Sequence, residues 1–257
     1  MIQHVIDGHE ITIICAPKQM TTMVTPTTML WLIGDSDMDR WPKDCLPRYL
    51  NGNKPCQASV AGYSGATLGE VVDRISERFA TTAPVSNKRG HDGRADCCGS
   101  HCVLVVCAGE NDIGQGYTLD NTLQSMDRLL EWFGHAQRQG ETTMSVSTLV
   151  FFGPKFEPWL QDDHTSRKQY VKMSKGMRRR IDAFNERNPK SQNWSGMAVF
   201  CDCITMFCTD ETKSIAGAQL GGLAVVDTTF FDDDGLHLSK RGYDLWQAVL
   251  EGLDLCL

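Results

Sequence analysis

The 257-residue sequence has no apolar run approaching the ~20 residues that a membrane-spanning helix requires. Residues 1–28 also lack the basic start, the apolar core and the small-residue cleavage site of an export signal. We therefore expect a cytoplasmic protein that does not span a membrane.

Positive charge is scarce as well. Lysine and arginine number 25 against 32 aspartate and glutamate, which gives a formal net charge of −7. A nucleic-acid partner requires a basic face that releases phosphate counterions, so this balance argues against nucleic-acid binding. The apolar share of 41% and the charged share of 22% are ordinary for a folded domain. They exclude disorder, collagen-like and coiled-coil architectures as the main structure.

No pair of the 11 cysteines has the C-x-x-C spacing that is typical of structural zinc sites. Cys97, Cys98 and Cys102 do lie close to His101 in the sequence, which leaves a zinc site open as an alternative. Because the chain is large and shows no export signal, we interpret its cysteines as reduced, buried thiols and predict no metal site.

Short apolar runs alternate with longer amphipathic stretches along most of the chain. Near-continuous apolar residues are expected of strands buried on both faces, and five such runs predict strands at residues 29–33, 57–61, 102–108, 146–152 and 197–202. Apolar stripes at helical spacing predict helices at about residues 68–79, 119–133, 170–184 and 239–255. This alternation indicates a parallel sheet with helices on both faces.

Two segments fall outside this pattern. Residues 2–15 predict a β-hairpin, because the Asp7-Gly8 dipeptide favours a tight type I′ turn. Residues 81–100 are polar and rich in turn-forming residues, and they predict a long surface loop. We therefore divide the chain into an N-terminal extension, residues 1–28, and one α/β domain, residues 29–257.

Ligand sites in parallel α/β sheets lie at the carboxyl ends of the strands, so the residues that follow each strand are the candidates for chemistry. Ser36, Gly65 and Asn111 follow the first three predicted strands, and Asp234 and His237 precede the last helix. Ser36 can supply a nucleophilic hydroxyl, His237 can accept its proton, and Asp234 can orient the imidazole. Two backbone N–H groups, of Ser36 and Gly65, and the Asn111 amide can stabilise an oxyanion, at ~2.7–4 kcal/mol for each donor.

These segments resemble the four sequence blocks of the SGNH hydrolases, also called the GDSL esterase/lipase superfamily. The matching blocks are Gly34-Asp35-Ser36, Tyr63-Ser64-Gly65, Gly109-Glu110-Asn111-Asp112 and Asp234-Gly235-Leu236-His237. The resemblance covers about residues 29–252. It implies a flavodoxin-like three-layer α/β/α sandwich with a five-stranded parallel sheet. It also implies hydrolysis of esters or thioesters without a metal or an organic cofactor.

Three further residues are candidates for substrate contacts. Lys155 and Trp159 belong to a Lys-x-x-Pro-like segment that resembles one in bacterial family members, and we expect residues 153–165 to wall the pocket. Asp37 departs from the family's first block, where a small or apolar residue usually follows the serine. A carboxylate there disfavours an anionic intermediate unless it points away or pairs with a cation, for example Arg40.

We therefore predict a serine esterase that acts on a small-molecule ester through an acyl-enzyme on Ser36. The sequence has no long apolar lid segment, which favours short, acetyl-type esters of a carbohydrate or another small polar carrier. A lysophospholipase or thioesterase of the same family is the alternative within this class. A catalytically silent SGNH-like domain that binds carbohydrate or lipid is favoured only by Asp37. A flavodoxin-like nucleotide or signalling module would not need the D-x-x-H spacing before the last helix.

Overall fold

The structure is a computed structural model that describes residues 2–6, 9–13, 28–80, 101–139, 145–189, 196–209 and 225–255. Its strands are β1 (Ile2–Ile6), β2 (His9–Ile13), β3 (Thr28–Gly34), β4 (Tyr49–Leu50), β5 (Lys54–Gly62), β6 (His101–Cys107), β7 (Ser145–Phe152) and β8 (Met197–Cys201). Its helices are α1 (Ser36–Asp39), α2 (Leu68–Ala80), α3 (Glu110–Gly114), α4 (Leu119–Gln139), α5 (His164–Arg187), α6 (Cys203–Met206) and α7 (Lys240–Gly252).

Six strands form one sheet in the order β4-β5-β3-β6-β7-β8. The five longer strands run parallel to one another, and their order is that of the flavodoxin-like folds. Each of them overlaps one of the five strands predicted from the sequence. The predicted α/β class and the parallel five-stranded core of the sheet are therefore confirmed.

The sixth strand is absent from the sequence-based prediction. β4 pairs antiparallel with the start of β5, where Tyr49 lies opposite Pro55. Residues 51–53 connect the two strands, and Asn51 and Gly52 have φ angles of 50° and 73°, in the left-handed region that Asn-Gly turns favour. A two-residue strand is too short to show an alternating apolar pattern, so its signal in the sequence is the turn dipeptide.

The helices cover both faces of the sheet. Val71 of α2 and Met126 of α4 join the apolar core on one face, where α5 also packs. Trp246 of α7 is fully buried in the core on the opposite face. Successive residues of a strand point to opposite faces, so Leu32 and Ile33 of β3 belong to different cores. The result is the predicted three-layer α/β/α sandwich.

The N-terminal strands form a separate two-stranded sheet. β1 and β2 pair antiparallel with Ile6 opposite His9, in the arrangement that the hairpin prediction requires. The division of the chain at residue 28 stays a prediction, and the loop predicted at residues 81–100 lies outside the described residues. Within the described residues, no helix combines the length and the apolar character needed to cross a membrane.

Cysteine placement bears on the zinc alternative. The described cysteines are buried, apart from the half-buried Cys56. Cys102 lies inside β6, and burial raises the pKa of its thiol to about 12, which keeps it protonated and makes it a poor metal ligand. Cys97 and Cys98 lie outside the described residues.

Two glycines allow close packing at the carboxyl edge of the sheet. A Cβ atom on Gly34 would lie 2.2 Å from the carbonyl oxygen of Cys107, and one on Gly62 would lie 1.9 Å from the backbone nitrogen of Asp39. The backbone N–H that follows Gly34 donates to the same Cys107 oxygen at 3.1 Å. The chain after β3 therefore rests directly on both neighbouring strands, and this contact fixes the position of Ser36.

Candidate active site

A cleft of about 450 Å³ opens at the carboxyl ends of the central strands. Four of the residues predicted to carry the chemistry line it together: Ser36, Gly65, Asn111 and His237. Asp234 contacts His237 from the same loop. The fold thus assembles all five residues from four separate segments of the chain.

Ser36 begins α1 directly after β3, and the turn around it is held at several points. The Asp35 side chain caps this short helix, because its Oδ1 accepts a hydrogen bond from the backbone N–H of Asp37 at 3.2 Å. The hydroxyl of Tyr243, on α7, donates to the backbone carbonyl of Asp37 at 2.8 Å. Ser36 itself is half-buried on the wall of the cleft.

Asp234 and His237 form a hydrogen-bonded pair on the loop before α7. His237 Nδ1 lies 2.6 Å from Asp234 Oδ2. The Oδ1 atom of Asp234 accepts hydrogen bonds from the backbone N–H groups of Leu236 and His237, both at 2.9 Å. The N–H of His237, then its ring, then the N–H of Leu236 hold the pKa of Asp234 well below its usual range, so the carboxylate stays ionised. Because Nδ1 is committed to Asp234, Nε2 is the nitrogen left to exchange a proton.

The loop that carries this pair is a closed local unit. Phe231 and Leu238 form an antiparallel bridge at its two ends, and the backbone N–H of Asp232 donates to the carbonyl of His237 at 2.8 Å. Gly235 adopts a φ of 63°, a conformation that glycine accepts without strain. The relative position of Asp234 and His237 is therefore set by contacts within the loop rather than by the rest of the fold.

Gly65 and Asn111 approach the cleft from neighbouring segments. The Nδ2 atom of Asn111 donates to the carbonyl of Ala66 at 3.1 Å, and Gln115 Nε2 donates to the carbonyl of Gly65 at 2.8 Å. An asparagine amide has two N–H groups, so this bond orients the side chain and uses one of them. Gly65 has a φ of 78°, in the left-handed region.

Asp37 does pair with a cation, but the cation is Lys155 and not Arg40, the example suggested by the sequence. Asp37 is 1% exposed, and its Oδ2 lies 2.5 Å from Nζ of Lys155, 118 positions along the chain. Arg40 is exposed instead, and it lies 3.5 Å from Oδ2 of Asp234. The α1 turn directs Asp37 inward and Arg40 outward, and adjacency in the sequence does not reveal this difference.

Lys155 is enclosed by carboxylates rather than open to the solvent. Its side chain is 1% exposed, and Nζ lies 2.5 Å from Oε2 of Glu110 and 3.4 Å from Oε1 of Glu157, in addition to Asp37. Sequence reasoning missed Glu110 and Glu157. Glu110 immediately precedes Asn111 and Glu157 lies in the Lys-x-x-Pro-like segment, but only the fold shows that they share one lysine. We call Lys155 and its three carboxylates the buried ion cluster.

Burial and neighbouring charges shift the pKa values of the groups in and around this cluster. Burial, then the neighbouring Asp37 carboxylate, raises the pKa of Asp35 to about 7. Burial likewise raises the pKa of Glu110 well above its usual range, against the opposing effect of Lys155. Burial alone would lower the pKa of Lys155, but the carboxylates of Asp37, Glu110 and Glu157 raise it well above its ordinary value, so the ammonium stays charged.

Apolar side chains form one rim of the cleft. Trp159 and Leu236 both line it and are 39% and 44% exposed. The indole N–H of Trp159 donates to Oε2 of Glu157 at 2.6 Å, and the ring meets Tyr170 edge-on at 6.1 Å between ring centroids. Of the three predicted substrate contacts, Trp159 is therefore exposed at the cleft, Lys155 lines the cleft with a buried side chain, and Asp37 is buried beside it.

One group of side chains in the described residues has the spacing of a metal site. Ligand atoms of Asp35, Asp37 and Cys107 lie within 4.8 Å of one another, and all three residues are buried. The ammonium of Lys155 already occupies one oxygen of Asp37, and burial raises the pKa of Cys107 well above its usual range, so the thiol is not a thiolate. This donor set fits a buried ammonium better than a metal ion.

Comparison with solved structures identifies the fold. A lipolytic protein of the G-D-S-L family from Veillonella parvula superposes with a TM-score of 0.52 at 13% identity, over 86% of this chain and 95% of that one. A Bacteroides fragilis protein assigned to the acylhydrolases superposes with a TM-score of 0.52 at 14% identity, over 87% of this chain and 86% of that one. A mutant acetyl-xylooligosaccharide esterase from Geobacillus stearmophilus superposes with a TM-score of 0.51 at 15% identity, over 87% of this chain and 93% of that one.

At these identities the likeness establishes the fold: the chain has the α/β/α sandwich of the GDSL, or SGNH, lipolytic proteins. No protein-family model matches the sequence, and no curated protein is detectably similar to it. The fold implied by the four sequence blocks is therefore the fold that these comparisons show.

Proposed function

We propose that this chain is an SGNH-type serine esterase that hydrolyses carboxylic esters through an acyl-enzyme on Ser36. The observation that carries the proposal is the 2.6 Å contact between His237 Nδ1 and Asp234 Oδ2 at a cleft that Ser36 also lines. Acyl transfer requires a nucleophile, a base, a group that orients the base, and donors for the oxyanion. The fold shared with GDSL lipolytic proteins supports the same reaction class.

In the first half of the reaction, Ser36 Oγ attacks the ester carbonyl carbon while its proton passes to His237 Nε2. Asp234 stabilises the resulting imidazolium. The backbone N–H groups of Ser36 and Gly65 and the free N–H of Asn111 donate to the oxyanion. The bond to the alcohol oxygen then breaks, and the alcohol leaves with the proton from His237.

In the second half, a water molecule attacks the acyl-enzyme carbonyl and gives its proton to His237 Nε2. The tetrahedral intermediate collapses, the bond to Ser36 Oγ breaks, and the serine takes the proton back from His237 as the carboxylic acid leaves. Protein side chains supply each proton transfer, so the scheme requires no cofactor.

The placement of Asp37 removes the main argument for a catalytically silent domain. A free carboxylate next to Ser36 would oppose an oxyanion, but this carboxylate lies 2.5 Å from the Lys155 ammonium and is buried. Its charge is therefore compensated within the protein.

For the substrate, we propose short acyl esters of a small polar carrier or carbohydrate. A cleft of about 450 Å³ with polar groups beside the nucleophile suits a short acyl chain. The exposed Trp159 ring on the rim is a flat apolar surface of the kind on which sugar rings pack. An acetyl-xylooligosaccharide esterase has the same fold, which makes acetylated sugars the first substrates to assay.

The test is hydrolysis of p-nitrophenyl esters from acetate to laurate, together with acetate release from acetylated xylooligosaccharides. Ser36→Ala should lower kcat by roughly 10⁴-fold or more. Ser64→Ala removes an exposed hydroxyl from the same cleft and should retain most of the activity. A fluorophosphonate should form a covalent adduct on Ser36, located by peptide mass spectrometry.

The outcomes separate the alternatives. A preference for acetate supports a short-acyl esterase, and a preference for long chains indicates a lysophospholipase or thioesterase instead. Full activity in Ser36→Ala, or a folded wild type that neither hydrolyses any ester nor reacts with the fluorophosphonate, would refute the serine esterase proposal.

A further inference from the structure

The buried ion cluster is more than a compensation for Asp37. The Lys155 ammonium contacts three carboxylates on three separate segments, at 2.5 Å, 2.5 Å and 3.4 Å. The backbone N–H of Lys155 also donates to Oε1 of Glu110 at 2.5 Å, so both oxygens of that carboxylate are held by one residue. One residue thus binds segments that lie far apart in the sequence.

Each carboxylate belongs to a different part of the candidate site. Asp37 follows Ser36 in the nucleophile turn, and Glu110 precedes Asn111 in the turn that carries the oxyanion amide. Glu157 accepts the indole N–H of Trp159 at 2.6 Å and so holds the apolar rim of the cleft. The nucleophile, an oxyanion donor and the substrate wall are each one residue away from, or directly bonded to, a ligand of the same ammonium.

Stability alone does not account for such a cluster. Desolvating four charged groups is costly, and well-packed apolar residues often serve equally well or better in their place. Rigid geometry is what charge-assisted hydrogen bonds in a buried site provide, and catalysis is sensitive to displacements of about 1 Å.

We propose that Lys155 is a positioning residue that holds the Ser36 turn, the Asn111 turn and the Trp159 rim in register for ester hydrolysis. The inference rests on the proposed function, and it assigns Lys155 no contact with the substrate. Asp37 and Glu110 transmit its position to the reacting groups, and Glu157 transmits it to the wall that binds the substrate.

Three near-isosteric variants test the assignment one arm at a time. Asp37→Asn and Glu110→Gln should lower kcat by roughly 10- to 100-fold with little change in KM, because they loosen groups that act in the transition state. Glu157→Gln should mainly raise KM, because it loosens the rim. If the cluster had only a structural role, all three variants would have a lower melting temperature, and the variants would not differ in whether kcat or KM changes.

A remote core variant controls for stability. Leu129→Ala removes a fully buried side chain of α4 from the core that α2, α4 and α5 share on one face of the sheet. It should lower the melting temperature. At assay temperatures well below the melting temperature, kcat and KM should be unchanged. Lys155→Met should show both defects together, a lower kcat and a higher KM. A folded Lys155→Met with wild-type kcat and KM would overturn the inference.

Hydrogen exchange gives a readout that does not depend on activity. Backbone amides near residues 36–40 should exchange faster in Asp37→Asn, and those near residues 110–114 faster in Glu110→Gln, each without a matching change in the other turn. If the amides of the two turns exchanged at equally changed rates in both variants, the positioning role would be refuted. If the wild type hydrolyses no ester, the proposed function fails, and the anchoring of the turns by Lys155 stands or falls on this exchange pattern.

Discussion

Acidic side chains near the cleft behave in opposite ways in two regions. Asp234 lies on the loop before α7, where three hydrogen-bond donors hold its pKa well below the usual range. Asp35 and Glu110 lie beside and within the buried ion cluster, where burial raises the pKa of each carboxyl group. The same chemical group is thus an exposed carboxylate with a lowered pKa in one region and a desolvated carboxyl group with a raised pKa in the other.

The difference shows what each region can contribute. An ionised carboxylate near the solvent can stabilise a transient imidazolium, because its lowered pKa keeps it charged at neutral pH. Buried carboxylates around a lysine are held by short contacts to one ammonium, and they are suited to fixing geometry. We therefore expect substitutions in the first region to affect chemistry, and those in the second to affect folding and position.

The largest effect should come from the exposed region. Asp234→Asn should lower kcat by roughly 10⁴-fold with little change in the melting temperature, because an amide favours the wrong tautomer of His237. Steady-state kinetics on p-nitrophenyl acetate, paired with thermal unfolding, measures both quantities.

Asp233→Asn is the matched control for this prediction, since Asp233 is an exposed neighbour on the same turn. Its kcat should equal that of the wild type. Equal losses in the two variants would mean that the loop's total charge, rather than the pair with His237, is what matters.

The next effect should come from the buried region and should appear in stability. Lys155→Met should lower the free energy of unfolding by ~3–5 kcal/mol, because it leaves buried carboxylates without a counter-charge. Urea unfolding at neutral pH measures the change. The loss should shrink at low pH, where the carboxylates take up protons, and a loss that is independent of pH would contradict this reading of the cluster.

Asp35→Asn should change how stability depends on pH. The folded-state pKa of Asp35 is raised to about 7 from an unfolded value of ~4, so the folded state binds more protons between these values. Its contribution to stability is therefore present below pH ~4 and is lost as the pH rises toward 7, by at most ~1.4 kcal/mol per pH unit.

The asparagine variant should remove this decline while its side-chain oxygen still caps α1. Urea unfolding of both proteins at several pH values from 4 to 8 gives the two slopes. Parallel curves for wild type and variant would show that Asp35 does not retain its proton.

The smallest effect should come from the exposed cation. Arg40→Met removes the 3.5 Å contact with Asp234, in which both side chains are largely exposed, and should cost ~0–1 kcal/mol, less at high salt. Unfolding in low and high salt measures it. A loss as large as that of Lys155→Met would abolish the contrast between the two regions.

The sequence predicted what depends on local pattern. Five apolar runs predicted the five parallel strands within a few residues, and the apolar stripe from residue 68 marks the helix that begins at Leu68. The acid–histidine pair was also predictable, because its spacing is closed by hydrogen bonds within one turn.

What depends on contacts between distant segments could not be predicted. Asp37 pairs with Lys155 across 118 positions, and no periodicity in either segment indicates it. Glu110 lies beside a predicted site residue, but its direction depends on the short helix that it begins. Buried charge leaves no apolar signal, so sequence reasoning takes such residues for surface groups.

Gly34 and Gly62 carry no functional group, yet an activity screen of every position would score them with the catalytic residues. Any added side chain would collide with backbone atoms around Ser36. A Cβ atom on Gly34 would lie 2.2 Å from the Cys107 oxygen, and one on Gly62 would lie 1.9 Å from the Asp39 nitrogen. A screen that counts only product would therefore overstate the size of the reactive centre. Sorting each dead variant by its yield of folded protein would distinguish lost chemistry from lost space.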